Sequence, residues 1–239
     1  MGKMIKAALW VVFLTLILLG VPRVAGMIAS LFDYQVIDPD GSYAWISVHH
    51  IVQALIIIIV IVLLNLYKPL KYGFGCGNKV IGRRYVLIFT LVFSAGSLVS
   101  HLIMYLTGSL QQFAYPLTAT NITGYLSFQL LLSGPSEELI FRAFAITMLA
   151  LVVKKRILNG KASLANIFAA LIFGVAHVGF SFAPFSINFS LLQVILAVVL
   201  GFFYGDCYEK TRSIYYPMMM HSISNVVMVG LSILATWIL

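Results

Sequence analysis

Long apolar runs separated by short polar connections make up nearly the whole chain. Seven runs approach or exceed the roughly 20 residues a helix needs to cross a bilayer: residues 5–31, 46–67, 85–107, 122–153, 163–180, 187–204 and 215–238. The pattern predicts an all-α fold, a polytopic transmembrane helical bundle of about seven spans. The count becomes eight if the fourth run is split at Gly134-Pro135. The first run carries Pro22-Arg23 in its interior, which predicts a kink or break there. It also has the outline of a signal peptide, with Lys3 and Lys6 before the apolar stretch. Arg23 occupies the −3 position of the one plausible cleavage site, after Ala25, so an uncleaved anchor is expected. With no repeat, low-complexity tract or long linker, residues 1–239 read as a single integral membrane domain. Its three N-terminal spans (1–120) carry no motif, and a core (121–239) carries the polar residues.

Composition closes off the soluble alternatives. Hydrophobic residues are 62% of the chain and charged residues 9%, against roughly 45–50% and 25% in a globular domain. Disorder and collagen fail on the same figures. The net charge of +8 does not point to nucleic acid, because the basic residues segregate. Lys3, Lys6, Lys68, Lys71, Lys79, Arg83, Arg84, Lys154, Lys155, Arg156, Lys161, Lys210 and Arg212, 13 of the 15, fall on one side if the spans alternate from an inside N-terminus. The expected location is the cell membrane, of the prokaryotic cytoplasmic kind, with the N-terminus in the cytoplasm and the lipid bilayer as one partner. Cys76 and Cys207 fall on the reducing side, too few for a disulfide scaffold. The glycine-rich stretch 72–78 lacks the Lys-Ser/Thr ending of a phosphate loop and reads as a flexible cytoplasmic turn.

Ionisable groups deep in a membrane are costly and mark function, and here they cluster. Glu137 and Glu138 lie near the middle of the fourth run, after Gly134-Pro135, which suits a new helix start with both acids in its first turn. Glu138 and Arg142 are four residues apart in the favourable order, acid first. Glu137 lies about 100° around the helix and is left free, which makes it a candidate general base. Phe173 and His177, and then His221 and Asn225, are i, i+4 pairs on two later spans. With the spare glutamate they supply a base, a water-orienting imidazole and two oxyanion donors, the set amide hydrolysis needs. His49, His50 and His101 have no such companions and read as helix contacts or interfacial groups. Depth raises one difficulty: His221 is 9 residues past Arg212, whereas Glu137 is 17 before Lys154. Those are about 14 and 25 Å of helix, so either the connection before Pro217 dips inward or the last helix is displaced.

Glu137-Glu138-x-x-x-Arg142, Phe173-x-x-x-His177 and His221-x-x-x-Asn225, in that order on three spans, resemble the CPBP family of intramembrane proteases. This family is also called Abi or CAAX-protease-like, and it includes the Rce1-like prenyl-protein endopeptidases. The resemblance covers about residues 122–234 and implies an endopeptidase that hydrolyses a peptide bond of a hydrophobic, prenylated or otherwise membrane-anchored peptide or protein. By that resemblance Glu137 activates the water, His177 holds it, and His221 with Asn225 stabilises the oxyanion, while Glu138, Arg142 and Phe173 support them. No cofactor is expected. One Glu and two His (Glu137, His177, His221) could bind zinc, but neither histidine has H-E-x-x-H spacing. Two other classes would use the same residues. A proton-coupled transporter would use them as a relay, though the paired halves of transporters are not evident in the sequence. A non-catalytic membrane protein of the bacteriocin-immunity type would need the helices but no intact base.

The charge bias makes a direct forecast. A reporter fused after Leu239 should be active only on the outer face of the membrane. Cytoplasmic activity would overturn the seven-span, N-inside reading.

Overall fold

Helix α1 (Gly2–Ala29) runs antiparallel to α2 (Ala44–Tyr67), and α3 (Lys79–Leu106) follows a loop. The structure is a computed structural model and describes residues 2–182 and 184–238, apart from the side chains of Lys3 and Phe182. Leu239, the fusion point above, and the Lys3 side chain counted in the charge bias lie outside the described residues. A composite helix, α4, spans residues 119–149, and a short hairpin of β1 (Arg156–Ile157) and β2 (Ala162–Ser163) leads into α5 (Leu164–Ala176). A second hairpin, β3 (Gly179–Phe182) with β4 (Phe185–Asn188), precedes α6 (Leu191–Thr211) and α7 (Tyr215–Ile238). Helices α1, α2, α3, α6 and α7 are each long and apolar enough to cross a membrane. The protein is all-helical apart from the hairpins.

Several expectations need correction. Helix α1 does not break at Pro22. Leu18, Val21, Ala25 and Ala29 on one of its faces are buried as it packs along α2, and packing on both sides of a proline holds a helix that has lost one hydrogen bond. Nor does α4 restart at Gly134-Pro135. It passes through that point as an α-helix (Ala119–Phe128), a π turn (Gln129–Ser133), five α residues (Gly134–Glu138), a second π turn (Leu139–Phe144) and a final α segment (Ala145–Leu149). Proline removes one backbone donor, and a π turn beside it re-registers the remaining hydrogen bonds without ending the helix. The two acids therefore do not sit at a free helix start. Finally, runs five and six overreach. Helix α5 has 13 residues, and residues 179–188 form the second hairpin, whose alternation of Phe180 with Ser181, and of Phe185 and Ile187 with Ser186 and Asn188, has the period of a strand.

Helix α4 is the centre of the bundle. Ile140, Phe141, Ala143, Phe144, Ala145 and Leu149 are all at most 2% exposed, so this segment is buried on every face, as only a core helix can be. It contacts α1, α2, α5 and α7. Helix α7 reaches it from an inward start. The backbone N–H of Ile214 donates to the Gly73 carbonyl, that of Asn78 donates to the Thr211 carbonyl, and the Tyr215 and Tyr216 hydroxyls donate to the carbonyls of Phe74 and Cys76. The stretch 72–78 is thus a strap rather than a free turn. Gly77 has φ +52°, and a side chain there would run into the Thr211 carbonyl. Under the strap Ser213 and Ile214 are fully buried, which favours an inward dip before Pro217 as the answer to the depth of His221.

The α1–α2 connection is tied by Asp38, which is buried. Its carboxylate accepts from the backbone N–H groups of Ser42, Tyr43 and Ala44 at 2.7–2.8 Å and from the Ser42 hydroxyl at 3.1 Å. Burial by itself would raise its pKa, but these donors outweigh it and hold the carboxyl below its usual value. A folded-state pKa below the unfolded one stabilises above the unfolded value, about pH 4, and that contribution is lost as pH falls through the folded value. Asp38→Asn should therefore lower thermal stability at pH 7 by about 1–3 kcal/mol and flatten the acid limb of a plot of Tm against pH. An unchanged acid limb would show that Asp38 does not carry it.

Candidate functional site

The i, i+4 geometry of α4 brings Glu138 and Arg142 together as the spacing predicts. Arg142 Nη1 lies 2.8 Å from Glu138 Oε1, with the two side chains 1% and 0% exposed. Across the helix boundary, His221 Nδ1 of α7 lies 2.8 Å from the same oxygen. The carboxylate thus holds one imidazole and one guanidinium. Aromatic rings enclose them: Phe173 of α5 and Tyr204 of α6 lie 4.5 and 5.3 Å from the guanidinium carbon. A cation over a ring face in a dry site is favourable by about 2 kcal/mol. Tyr204 also stacks on His221 at 5.0 Å and bonds Ser224 at 2.8 Å. Close approach of α4 to α7 depends on Gly134, where an added Cβ would lie 2.9 Å from the Ser222 nitrogen and 3.1 Å from the His221 Cβ.

Glu137 stands apart from this pair. Its Oε2 lies 3.8 Å from His221 Nε2 and its Oε1 4.0 Å from His50 Nε2. Its side chain is 19% exposed and forms no direct hydrogen bond among the described residues. His221 therefore bridges the two acids, Nδ1 on Glu138 and Nε2 toward Glu137. Sequence spacing did not reveal that link, because it crosses from α4 to α7.

The other expected residues are close by but differently engaged. His177, at the C-terminal cap of α5, has Nδ1 2.8 Å from the Phe173 carbonyl, and its ring meets the Phe173 ring edge-on at 4.7 Å. Phe173 also stands edge-on to His221 at 5.9 Å, so it is the shared wall of both imidazoles. No contact within 4 Å joins His177 to Glu137 among the described residues. Asn225 is one turn beyond His221, and its Nδ2 donates to Ser133 Oγ of α4 at 3.0 Å. It borders a 370 Å³ cavity between α3, α6 and α7 that Ser97, Ser100 and Ser224 also line.

Two participants were not singled out in the sequence. His50, read as a helix contact, is 7% exposed and faces Glu137. The available signal was a pair of polar residues, His50 and Gln53, one turn apart in the apolar run 46–67. Tyr204 is the other; its neighbours on α6 are aromatic too, and nothing in the sequence distinguishes it. The zinc set Glu137, His177 and His221 is not drawn together at ligand spacing, and among the described residues no three His, Cys, Asp or Glu side chains form a metal-binding group.

Residues 118–227 match the family model described as Rce1-like, type II CAAX prenyl endopeptidase Rce1-like. The match contains every motif residue from Glu137 to Asn225 and leaves α1, α2 and α3 outside it. No curated protein and no solved structure matches the chain.

The buried pair yields a stability forecast. Glu138→Gln leaves the Arg142 charge uncompensated and weakens the hold on His221, at a cost of about 3–5 kcal/mol. Thermal denaturation of the purified variant in detergent should show a clear loss. A variant as stable as the wild type would overturn the ion-pair reading.

Proposed function

Residues 118–227 make this chain a member of the Rce1-like, or CPBP, family of multi-pass membrane proteins, and on that premise we propose that it is an intramembrane endopeptidase of the glutamate type. One observation carries the reading: two adjacent buried carboxylates in unlike circumstances. Glu138 is neutralised by Arg142 and bonded to His221, whereas Glu137 has no direct hydrogen bond and faces imidazole nitrogens at 3.8 and 4.0 Å. Environments that treat two titratable groups so differently are how a site assigns a base and a stabiliser.

In the reaction, Glu137 accepts a proton from a water molecule as that water's oxygen bonds to the scissile carbonyl carbon. The tetrahedral intermediate carries the negative charge on the former carbonyl oxygen. Collapse breaks the C–N bond, and Glu137 returns its proton to the leaving amine. His177 holds the attacking water. His221, kept in orientation by Glu138, and Asn225, positioned by Ser133, stabilise the oxyanion; as the imidazolium His221 presents an N–H at Nε2. Phe173 supports both imidazoles, and Arg142 supports Glu138. The substrate is a hydrophobic peptide or protein anchored in the bilayer, prenylated or not, that enters laterally. The protein lies in a cytoplasmic membrane with its N-terminus inside and crosses it seven times. Were zinc to bind, Glu137 and the histidines would be its ligands, and it would polarise the carbonyl.

Cleavage of a detergent-solubilised substrate by purified variants tests the mechanism. Glu137→Gln keeps volume and leaves the Glu138–Arg142 pair, so the protein should fold while kcat falls by about 10²–10⁴-fold. Asn225→Ala should cost about 10²–10³-fold, and His177→Ala should resemble Glu137→Gln. A strong chelator should leave wild-type activity unchanged. Full activity in Glu137→Gln would eliminate the mechanism, whereas chelator inhibition reversed by zinc would make the same residues metal ligands.

A further inference from the structure

His50 belongs to α2, outside the family-matched residues, yet it is the second imidazole beside Glu137. Its other nitrogen is held in a small buried network. His50 Nδ1 lies 2.7 Å from Ser136 Oγ and 2.9 Å from Gln53 Nε2, and Gln53 Nε2 also donates to Ser136 Oγ at 2.8 Å. His50, Gln53 and Ser136 are 7%, 2% and 4% exposed, so water does not offer alternative partners. An amide NH₂ carries only protons to give, so the Gln53 contact makes His50 Nδ1 an acceptor. The Ser136 hydroxyl has one proton, placed between Nδ1 at 2.7 Å and the Ser133 carbonyl at 3.1 Å, and the shorter contact delivers it to Nδ1 as well. In a neutral imidazole whose Nδ1 accepts, the proton is on Nε2. That N–H faces Glu137 Oε1 at 4.0 Å.

The contrast with His221 gives the arrangement its meaning. There Nδ1 donates to Glu138, so in the neutral ring Nε2 presents a lone pair toward Glu137. The two imidazoles flanking Glu137 thus offer it opposite things, a proton from His50 and a lone pair from His221. We infer that His50 is a positioning residue for Glu137, fixed in its Nε2–H tautomer by Gln53 and Ser136 so that one carboxylate oxygen is held by a neutral donor while the other faces the reacting water. The 4.0 Å gap exceeds a hydrogen bond, and active-site contacts of this kind tighten in the substrate complex. The inference rests on Glu137 being the base, and it gives α2 a place in the chemistry.

The test pairs two substitutions that mimic one ring nitrogen each. His50→Gln places an amide N–H near the position of Nε2, whereas His50→Asn reaches only that of Nδ1 and keeps the contacts to Ser136 and Gln53. Expected is a kcat within a few-fold of wild type for His50→Gln. For His50→Asn the expected kcat loss is about 10²-fold, the scale of one lost preorganised donor, with KM unchanged. A merely structural role predicts the reverse order, and that result, or wild-type kcat in both variants, overturns the proposal. A second readout needs no turnover: ¹⁵N NMR of histidine-labelled full-length protein in nanodiscs should show the neutral His50 ring protonated at Nε2, with its signals shifted by Glu137→Gln. Protonation at Nδ1 would overturn the proposal even if both variants failed to fold. Failure of the proteolytic reading is distinguishable, because it would appear as full activity in Glu137→Gln whatever tautomer His50 holds.

Discussion

A buried positive charge must be answered, and much of this protein is arranged around that requirement. Arg142 lies in the most enclosed part of α4, where an isolated guanidinium would be prohibitively unfavourable. Glu138 supplies the counter-charge from the same helix, Phe173 and Tyr204 supply ring faces from α5 and α6, and His221 from α7 takes a share of the same carboxylate. Four helices thereby acquire a common point of registration. Because His221 is part of that point, its far nitrogen is aimed, and Glu137 on the next position of α4 becomes the carboxylate it is aimed at.

The sequence was most informative where the physics is local. The last run, 215–238, coincides with α7, and the Glu138–Arg142 contact follows from helical spacing alone. Hydropathy was less able to set limits where a helix is short or interrupted. The β3–β4 hairpin is as apolar as its flanking helices, so averaging over a window hid its two-residue period. Pro22 and Pro135 were read as breaks because a proline's local cost is visible in sequence and the packing that offsets it is not.

Contacts between distant segments were the least readable. The strap at 72–78 looks like an idle glycine-rich turn until Thr211 and Ile214 are seen to bond to it. His50 looks like a packing residue until α2 lies beside α4. Asn225 was identified by its spacing from His221, but its bond to Ser133 depends on how closely α7 meets α4 at Gly134. In each case the residue was visible and its partner was not, since pairing across 80 or more positions leaves no periodic trace.

The two π turns of α4 have a bearing on how this site can vary. They bracket the five-residue segment Gly134–Glu138, and each closes its hydrogen bonds one residue later than an α turn does. Each is thus equivalent to a single extra residue absorbed without ending the helix. Removing one residue from either turn would restore ordinary α geometry there, so the helix would survive, but everything beyond the deletion would swing by about 100°. A deletion in the first turn would carry both acids away from α7, and one in the second would carry Arg142 away from Glu138. The helix tolerates such length changes; the facing of its carboxylates does not, which makes chain length in this stretch, and not composition alone, part of what specifies the site.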